Sequence, residues 1–145
     1  MAVVVYHRNA YIISTDKTNL NIALIHFFLD QSSYWARGRS IPLVQKSTKP
    51  SLCLGACAEA EQVGFARLVT DYATFAWLCD VFILDAHRGN GLSKWLVECV
   101  TANPELENIR RFAPATRDGH ELYRRYGAFQ TLPIPDWWMV QVAAE

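Results

Sequence analysis

The sequence has no excess of charge of either sign, because its 14 lysines and arginines are matched by 14 aspartates and glutamates. A balanced chain creates no general field that would attract nucleic acid or an anionic membrane. We therefore expect neither as a partner. Any anion that the protein binds must be recognised by local groups.

The sequence also lacks the cysteine spacings of metal centres and disulfide frameworks. Its four cysteines form no CxxC pair and have no histidine at ligand spacing: Cys53, Cys57, Cys79 and Cys99. They lie among apolar residues, as reduced thiols of a protein core do. We expect no metal site and no disulfide.

Long hydrophobic runs are absent too. No apolar segment approaches the roughly 20 residues of a membrane helix, and MAVVVYHRN is too short and too polar at its end for a secretory signal. A cytoplasmic location is the resulting expectation. With 145 residues, 51% of them hydrophobic, the chain suits one domain with a substantial core, so we predict a single domain over 1–145.

Hydrophobic periodicity and capping residues predict an α/β arrangement. The predicted elements, in chain order, are a strand over 10–15, a helix begun by Asp16 or Thr18, a helix capped by Ser40, a hairpin of SLCLGACA and VGFARLVT, a strand over 73–84, a helix SKWLVECVTAN, a strand over 109–116, a helix from Asp118 to Gly127, and two short strands, AFQTLP and DWWMVQVA. The first helix carries apolar residues at helical spacing: Leu20, Leu24, Phe27 and Phe28.

The strand over 73–84 is apolar on both faces. Simple alternation divides its apolar residues into two sets: Trp77, Cys79, Val81 and Ile83 on one face, and Leu78, Phe82 and Leu84 on the other. A strand of this kind needs cover on both sides. We predict a central strand with helices above and below it.

A glycine-rich turn, HRGNGLS, joins this strand to the next helix. Gly89 and Gly91 let the backbone approach a ligand closely, and Arg88 can add a charge-assisted hydrogen bond. Free N–H groups and the helix dipole favour an anion here, most naturally a phosphate. A Walker loop is excluded because LSK follows Gly91, and a dinucleotide fingerprint is weakened by Lys94 at its third glycine position. A plain surface turn is the alternative.

Two motifs at family spacing resemble the GNAT superfamily of N-acetyltransferases. RGNGLS after DVFILDAH resembles motif A, a strand followed by RGxGxG and a helix, with Ser93 at the last glycine position. TRDGHELYRRYGAF resembles motif B, with Thr116 in place of the usual Asn and Ala128 between Gly127 and Phe129. The resemblance runs from position 63 to about position 132.

The resemblance implies a fold and a cosubstrate. The fold is a GNAT-like α/β (α+β) domain whose central mixed, mostly antiparallel sheet has helices on both faces and splays between the fourth and fifth core strands. Acetyl-CoA would lie in that opening, with pantetheine on backbone groups near the strand end and pyrophosphate on the amides of the turn. The implied cofactor-binding residues are Phe82, Ile83, Leu84, Arg88, Gly89, Asn90, Gly91, Leu92, Ser93, Thr116 and Tyr123.

The implied reaction is transfer of an acetyl group to a primary amine of a small molecule or peptide, directly in a ternary complex rather than through an acyl-enzyme. Tyr123 matches the tyrosine that often acts as general acid in the family. The alternative is a tyrosine that packs beside Leu122.

The general base is open between several groups. Asp80 is the only charged residue in the strand over 73–84, so it is a candidate base. It is equally a candidate structural carboxylate that holds Arg67, Arg117 or a loop N–H. His120 lies three residues before Tyr123 and is either a proton relay or a surface residue. Water is a further candidate for the base.

Acceptor recognition is expected in the loop SSYWARGR, where Tyr34 and Trp35 would line a pocket for an apolar or cationic amine, with Trp137 and Trp138 near its far wall. The alternative is that these aromatic residues cover the core. The apolar DWWMVQV is compatible with a homodimer contact or with an internal strand. Two other functions stay open: a catalytically inactive acyl-CoA-binding regulatory or interaction module, and a phosphate-binding enzyme unrelated to CoA.

Overall fold

The computed structural model describes residues 2–143, which contain six strands and four α-helices. The strands are β1 Val5–Arg8, β2 Tyr11–Ser14, β3 Leu52–Ala58, β4 Glu61–Thr70, β5 Phe75–Ile83 and β6 Arg111–Pro114. The helices are α1 Ile22–Gln31, α2 Ile41–Thr48, α3 Leu92–Thr101 and α4 His120–Gly127.

The six strands form one mixed sheet whose spatial order follows the chain, from β1 to β6. Neighbouring strands are antiparallel from β1 to β5, and only β5 and β6 are parallel. Parallel neighbours need a crossover connection, and α3 supplies it. The predicted fold class, a mostly antiparallel mixed sheet, is confirmed.

Helices cover both faces of the sheet, as predicted. Side chains of α1 and α2 pack on one face in a cluster that includes Ile25, Val44 and Phe65. Side chains of α3, among them Trp95 and Leu96, pack on the other face. The strand β5 therefore lies between two apolar layers.

A β-bulge interrupts β5 at its middle. The register with β4 shifts so that Asp80 and Val81 stand opposite the single residue Ala66, and Asp80 takes a left-handed φ of 54°. The extra residue exchanges the two faces, so Phe82 joins the cluster under α1 and α2 while Leu78 joins the cluster under α3. The simple alternation that placed these two residues on one face is wrong beyond Asp80.

The sheet opens between β5 and β6. Their pairing joins Phe75–Leu78 to Arg111–Pro114, and among the described residues the rest of β5 has no partner on β6. These are the fourth and fifth of the core strands that the sequence predicts, so the splay lies at the expected place. It leaves the β6-facing edge of the second half of β5 available to a ligand.

Several predicted element ends differ from the structure. The strand β1 was not predicted, because its short segment VYHR alternates weakly and is mostly exposed. Asn21, not Asp16 or Thr18, caps α1, and Asp16 instead caps a short 3-10 turn before it. Ser40 caps α2 as predicted. Gly119 rather than Asp118 precedes α4, and no side chain of the described residues caps that helix.

The two strands predicted after α4 are wrong. Residues 128–143 form no strand, and their one regular element is a 3-10 turn, Pro135–Trp137. Pro133 and Pro135 have no N–H to donate to a ladder, which explains why the apolar pattern does not become sheet. Met139 and Val140 are exposed.

The neighbouring residues Phe27 and Phe28 test the packing of α1. The ring of Phe28 is 8% exposed and stacks on Phe82 with centroids 4.0 Å apart, whereas Phe27, predicted on the apolar face, is 64% exposed. Phe28→Ala should lower the free energy of unfolding by about 3–5 kcal/mol, and Phe27→Ala by less than about 0.5 kcal/mol. Urea denaturation measures both; equal losses would contradict the orientation of α1.

Candidate active site

A cleft of about 870 Å³ lies where β5 and β6 separate. Its walls come from the loop between α1 and α2, the second half of β5, the turn before α3, and the start of α4 with the loop before it. The splay and the bulge together create this space, since the first removes a neighbouring strand and the second turns Asp80 inward.

The glycine turn at one end of the cleft has the geometry of an anion site. Gly89 and Gly91 take φ values of +83° and +74°, which L side chains rarely adopt. The helix α3 begins directly after Gly91 with no side-chain cap among the described residues. Its first N–H groups are thus available to a ligand, and the helix dipole favours a negative one.

Side chains around the turn hold its shape. Arg88 donates from Nε to the carbonyl of Ile83 at 3.1 Å and pairs with the Asp85 carboxylate at 2.9 Å on the surface. Ser93 and Leu92 line the cleft beside it. The predicted contacts of these residues with a pyrophosphate stay predictions.

Tyr11 connects the glycine turn to strand β2. Its hydroxyl lies 3.1 Å from Nδ1 of His87 and accepts from Nδ2 of Asn90 at 3.2 Å. The rings of Tyr11 and His87 also meet edge to face. Sequence reasoning missed Tyr11, because nothing in the local pattern of β2 indicates a partner 76 residues away.

Tyr123 lines the cleft from α4. Its ring meets Phe129 edge to face, with centroids 5.7 Å apart. Burial, and to a smaller extent the negative charges of ionised Tyr34, Asp118 and Cys79, raise the pKa of Tyr123 to about 12. The phenol is therefore protonated at neutral pH and is a hydrogen-bond donor in the cleft.

Thr116, at the position of the usual Asn of motif B, organises the loop before α4. Its Oγ1 accepts from the N–H of Gly119 at 2.8 Å. A Cβ at Gly119 would come within 2.9 Å of that oxygen and 3.3 Å of the Tyr123 ring. Gly119 is thus required for the close approach, a requirement that the local sequence pattern does not indicate.

Asp80 is buried in the wall of the cleft, and both its oxygens have partners. Oδ1 accepts from Nε1 of Trp35 at 2.9 Å. Oδ2 accepts from Arg39 at 2.8 Å and from Arg67 at 2.9 Å. Of the two arginines considered from sequence, Arg67 is a partner and Arg117 is not. The geometry favours a structural carboxylate, and a role as base stays a prediction.

Tyr34 and Trp35 both line the cleft, and their predicted role in binding an acceptor stays a prediction. The Tyr34 hydroxyl accepts from the backbone N–H of Arg117 at 2.9 Å, and the Arg117 guanidinium lies 4.0 Å from the centre of the same ring. The two aromatic rings meet edge to face. These contacts join the loop after α1 to the loop before α4 across the mouth of the cleft.

Three residues predicted as base or acceptor groups lie outside the cleft, and of the implied cofactor-binding residues Leu84, Asn90 and Gly91 are not among those that line it either. His120 is exposed on α4 and is not among the cleft residues. Trp137 is 79% exposed. Trp138 lies against Phe75 and Arg111, so neither tryptophan forms a far wall of the pocket.

Residues 2–143 contain neither a cluster of side chains that could hold a metal ion nor a helix that could span a membrane. No three histidine, cysteine, aspartate or glutamate side chains in that range lie close enough together to hold a metal ion. None of its helices combines the length and the apolar character needed to cross a membrane.

The comparison with protein families identifies the fold. Residues 49–127, more than half of the chain, match the family model described as an acetyltransferase (GNAT) domain. The chain belongs to the GNAT acetyltransferase family. The matched segment of this GNAT domain includes β5, the glycine turn and Tyr123.

Solved structures and a curated relative agree with this assignment. A crystal structure from Xanthomonas campestris pv. campestris, described as an acetyltransferase of the GNAT family, is 44% identical, covers 94% of this chain and 96% of its own, and has a TM-score of 0.89. A Gibberella zeae protein named as an acetyltransferase is 28% identical over 80% of this chain and 77% of its own. An acetyltransferase from Clostridium acetobutylicum, described with acetyl-CoA, has the same fold at 14% identity, with a TM-score of 0.63 over 90% of this chain and 94% of its own.

Replacing Asp80 tests the buried ion cluster. Asp80→Asn leaves two largely buried guanidiniums without their counter-charge, which should lower the free energy of unfolding by about 3–5 kcal/mol. Asp85→Asn is the matched control: its carboxylate also pairs with an arginine but is 87% exposed, and the expected change is below about 1 kcal/mol. Chemical denaturation measures both, and a similar small change for each would contradict the structural role of Asp80.

Proposed function

We propose that this GNAT domain transfers an acetyl group from acetyl-CoA to a primary amine of a small molecule or peptide, directly in one ternary complex. One observation carries the proposal. The free edge of β5, the glycine turn with its uncapped helix and the protonated phenol of Tyr123 all border the same cleft.

The residues present fit acetyl-CoA. The β5 edge without a β6 partner offers backbone groups to pantetheine in the manner of an added strand. Within it, the Ile83 carbonyl is already bonded to Arg88 and the Leu84 N–H to the Val63 carbonyl. We therefore assign most of the pantetheine pairing to the edge around Phe82 and the residues before it.

The pyrophosphate would rest on the amides from Gly89 to Ser93. Both glycines of the turn are exposed, and no atom lies within 4 Å of where their Cβ atoms would be. Space for phosphate oxygens and free N–H donors thus coincide at the start of α3.

Tyr123 is the proposed general acid. Bound acetyl-CoA supplies an acetyl thioester, and the Tyr123 hydroxyl donates a hydrogen bond, and then its proton, to the sulfur as negative charge develops there. Because its pKa is raised, the phenol does not lose this proton to solvent at neutral pH.

The amine must lose a proton before it attacks. Both oxygens of Asp80 are engaged by Trp35 and two arginines, and His120 lies outside the cleft. We therefore propose that water in the open cleft accepts the proton, while Asp80 positions the groups around the acceptor.

The protonated state of the Cys79 thiol favours direct transfer over an acyl-enzyme. Cys79 borders the cleft, and burial, partly offset by the positive charge of Arg67, raises the pKa of its thiol to about 11. A thiol is a poor nucleophile until it ionises. This cysteine therefore stays protonated at neutral pH.

Tyr123→Phe tests the proposed acid. Loss of the phenolic proton should lower kcat about 100-fold or more, while the acetyl-CoA Kd changes less than about threefold because the ring stays in place. Isothermal titration gives the Kd, and release of free CoA thiol with a panel of primary amines gives kcat. Tyr126→Phe, on the same helix but outside the cleft, is the control and should match the wild type.

The outcomes separate the candidate functions. An unchanged kcat in Tyr123→Phe would show that Tyr123 is not the acid. Tight acetyl-CoA binding without thiol release from any amine would favour the inactive acyl-CoA-binding module. Absence of acetyl-CoA binding would contradict the cleft assignment itself.

The raised pKa of Tyr123 also predicts a pH profile. The group acts in its protonated form, and that form is lost only as the pH rises through about 12. With the amine substrate saturating, wild-type kcat should therefore show no fall due to Tyr123 up to about pH 10. A stopped-time thiol assay from pH 6 to 10 measures it; a decline in that range that Tyr123→Phe abolishes would contradict the prediction.

A further inference from the structure

The part of the cleft bordered by the loop after α1 and by Arg67, which we call the acceptor side, carries an unmatched positive charge. Arg39 and Arg67 share the single carboxylate of Asp80, and their side chains are only 20% and 12% exposed. Two guanidiniums against one carboxylate leave one positive charge without a partner in a largely buried cluster. Such a charge is costly unless an anion approaches it.

Arg39 has hydrogen-bond donors to spare. Its side chain donates one bond, from Nη1 to Asp80, and makes no other within residues 2–143. Arg67 lies deeper and uses two nitrogens, Nε on Asp80 and Nη1 on Ser51. Arg39 lines the cleft, so its remaining nitrogens can meet a ligand there. The planar fork of a guanidinium matches the two oxygens of a carboxylate.

The neighbouring walls are apolar or already hold a cation. Trp35, Val69 and Trp77 border the same cleft as Arg39, and Val69 is 49% exposed although it lies in a strand. The Tyr34 face, expected to attract a cationic acceptor, is covered by the Arg117 guanidinium. The remaining acidic residue of the cleft within residues 2–143, Asp118, is exposed.

The geometry points to an acceptor that carries a carboxylate beside an apolar group, that is, an apolar amino acid, with Arg39 as the residue that binds the carboxylate. This inference rests on the proposed acetyl transfer, whose acceptor it specifies. The apolar side chain lies between Trp35, Val69 and Trp77, and Asp80 fixes both Trp35 and Arg39 in place. The three arginines that line the cleft here, Arg39, Arg67 and Arg117, outnumber the buried carboxylate of Asp80 and therefore disfavour polycationic amines.

The test compares acids with their uncharged counterparts, independently of turnover. N-acetylphenylalanine and N-acetylleucine, and the amides of both, are titrated calorimetrically into the protein saturated with CoA. In the wild type each acid should bind about 10- to 100-fold more tightly than its amide. In Arg39→Gln that ratio should fall to about one. If neither acid binds more tightly than its amide in the wild type, the inference is wrong.

Matched variants exclude trivial explanations. Arg37→Gln removes an exposed arginine of the same loop that does not line the cleft, and should keep the wild-type ratio. Arg39→Lys keeps the positive charge but removes the planar guanidinium, and should keep part of the preference for the acid over its amide. Arg39→Gln should retain acetyl-CoA affinity within about twofold, since Arg67 and Trp35 still hold Asp80. Loss of the ratio in Arg37→Gln as well would overturn the assignment to Arg39.

A thiol-release assay with the corresponding free amines separates this inference from the proposed function. Thiol release is measured with phenylalanine, leucine and their amides as acceptors. If these amines are acetylated but the acid and amide bind alike, acetyl transfer stands and the carboxylate site fails. If the acids bind through Arg39 but no amine is acetylated, the carboxylate site stands and the acetyl transfer fails.

Discussion

The buried carboxylate of Asp80 is the interaction on which the rest of the site depends. A β-bulge in a strand covered on both faces turns this side chain inward, and the charge is tolerated there because two guanidiniums and an indole N–H surround it. Those partners come from different parts of the chain, Arg67 from the neighbouring strand and Trp35 with Arg39 from the loop after α1. One carboxylate thus fixes the sheet and the loop after α1 to each other.

The cleft has two halves that use different kinds of group. At the glycine turn the groups available to a ligand are backbone N–H groups, exposed by positive φ angles and by a helix without a side-chain cap among the described residues. Beside the loop after α1 the available groups are long side chains, aromatic and basic, held by hydrogen bonds across loops. A backbone site recognises a chemical class such as a phosphate, whereas side chains can discriminate between individual molecules.

Much of this could be predicted from the sequence, and the reasons for the failures are physical. The strand before HRGNGLS, the helix after it and the placement of Tyr123 follow from period and motif, which are local signals. The bulge at Asp80 was not visible, because a left-handed aspartate in a strand leaves no mark on the apolar pattern. Arg39 and Tyr11 were missed because their partners lie far away in the chain. The tail strands were wrong because DWWMVQV is apolar without being buried, and two prolines precede it.

The hydrogen bonds of Tyr11 give the outer hairpin of the sheet a part in the site. The family match begins at position 49, after β1 and β2, yet the Tyr11 hydroxyl holds both His87 and Asn90 of the turn. The hairpin therefore supports the turn, and the Tyr11 hydroxyl restrains the segment that carries the two glycines. Chains that share the matched segment but differ in this hairpin would present the same amides with a different rigidity, and hence a different entropy cost on binding the same anion.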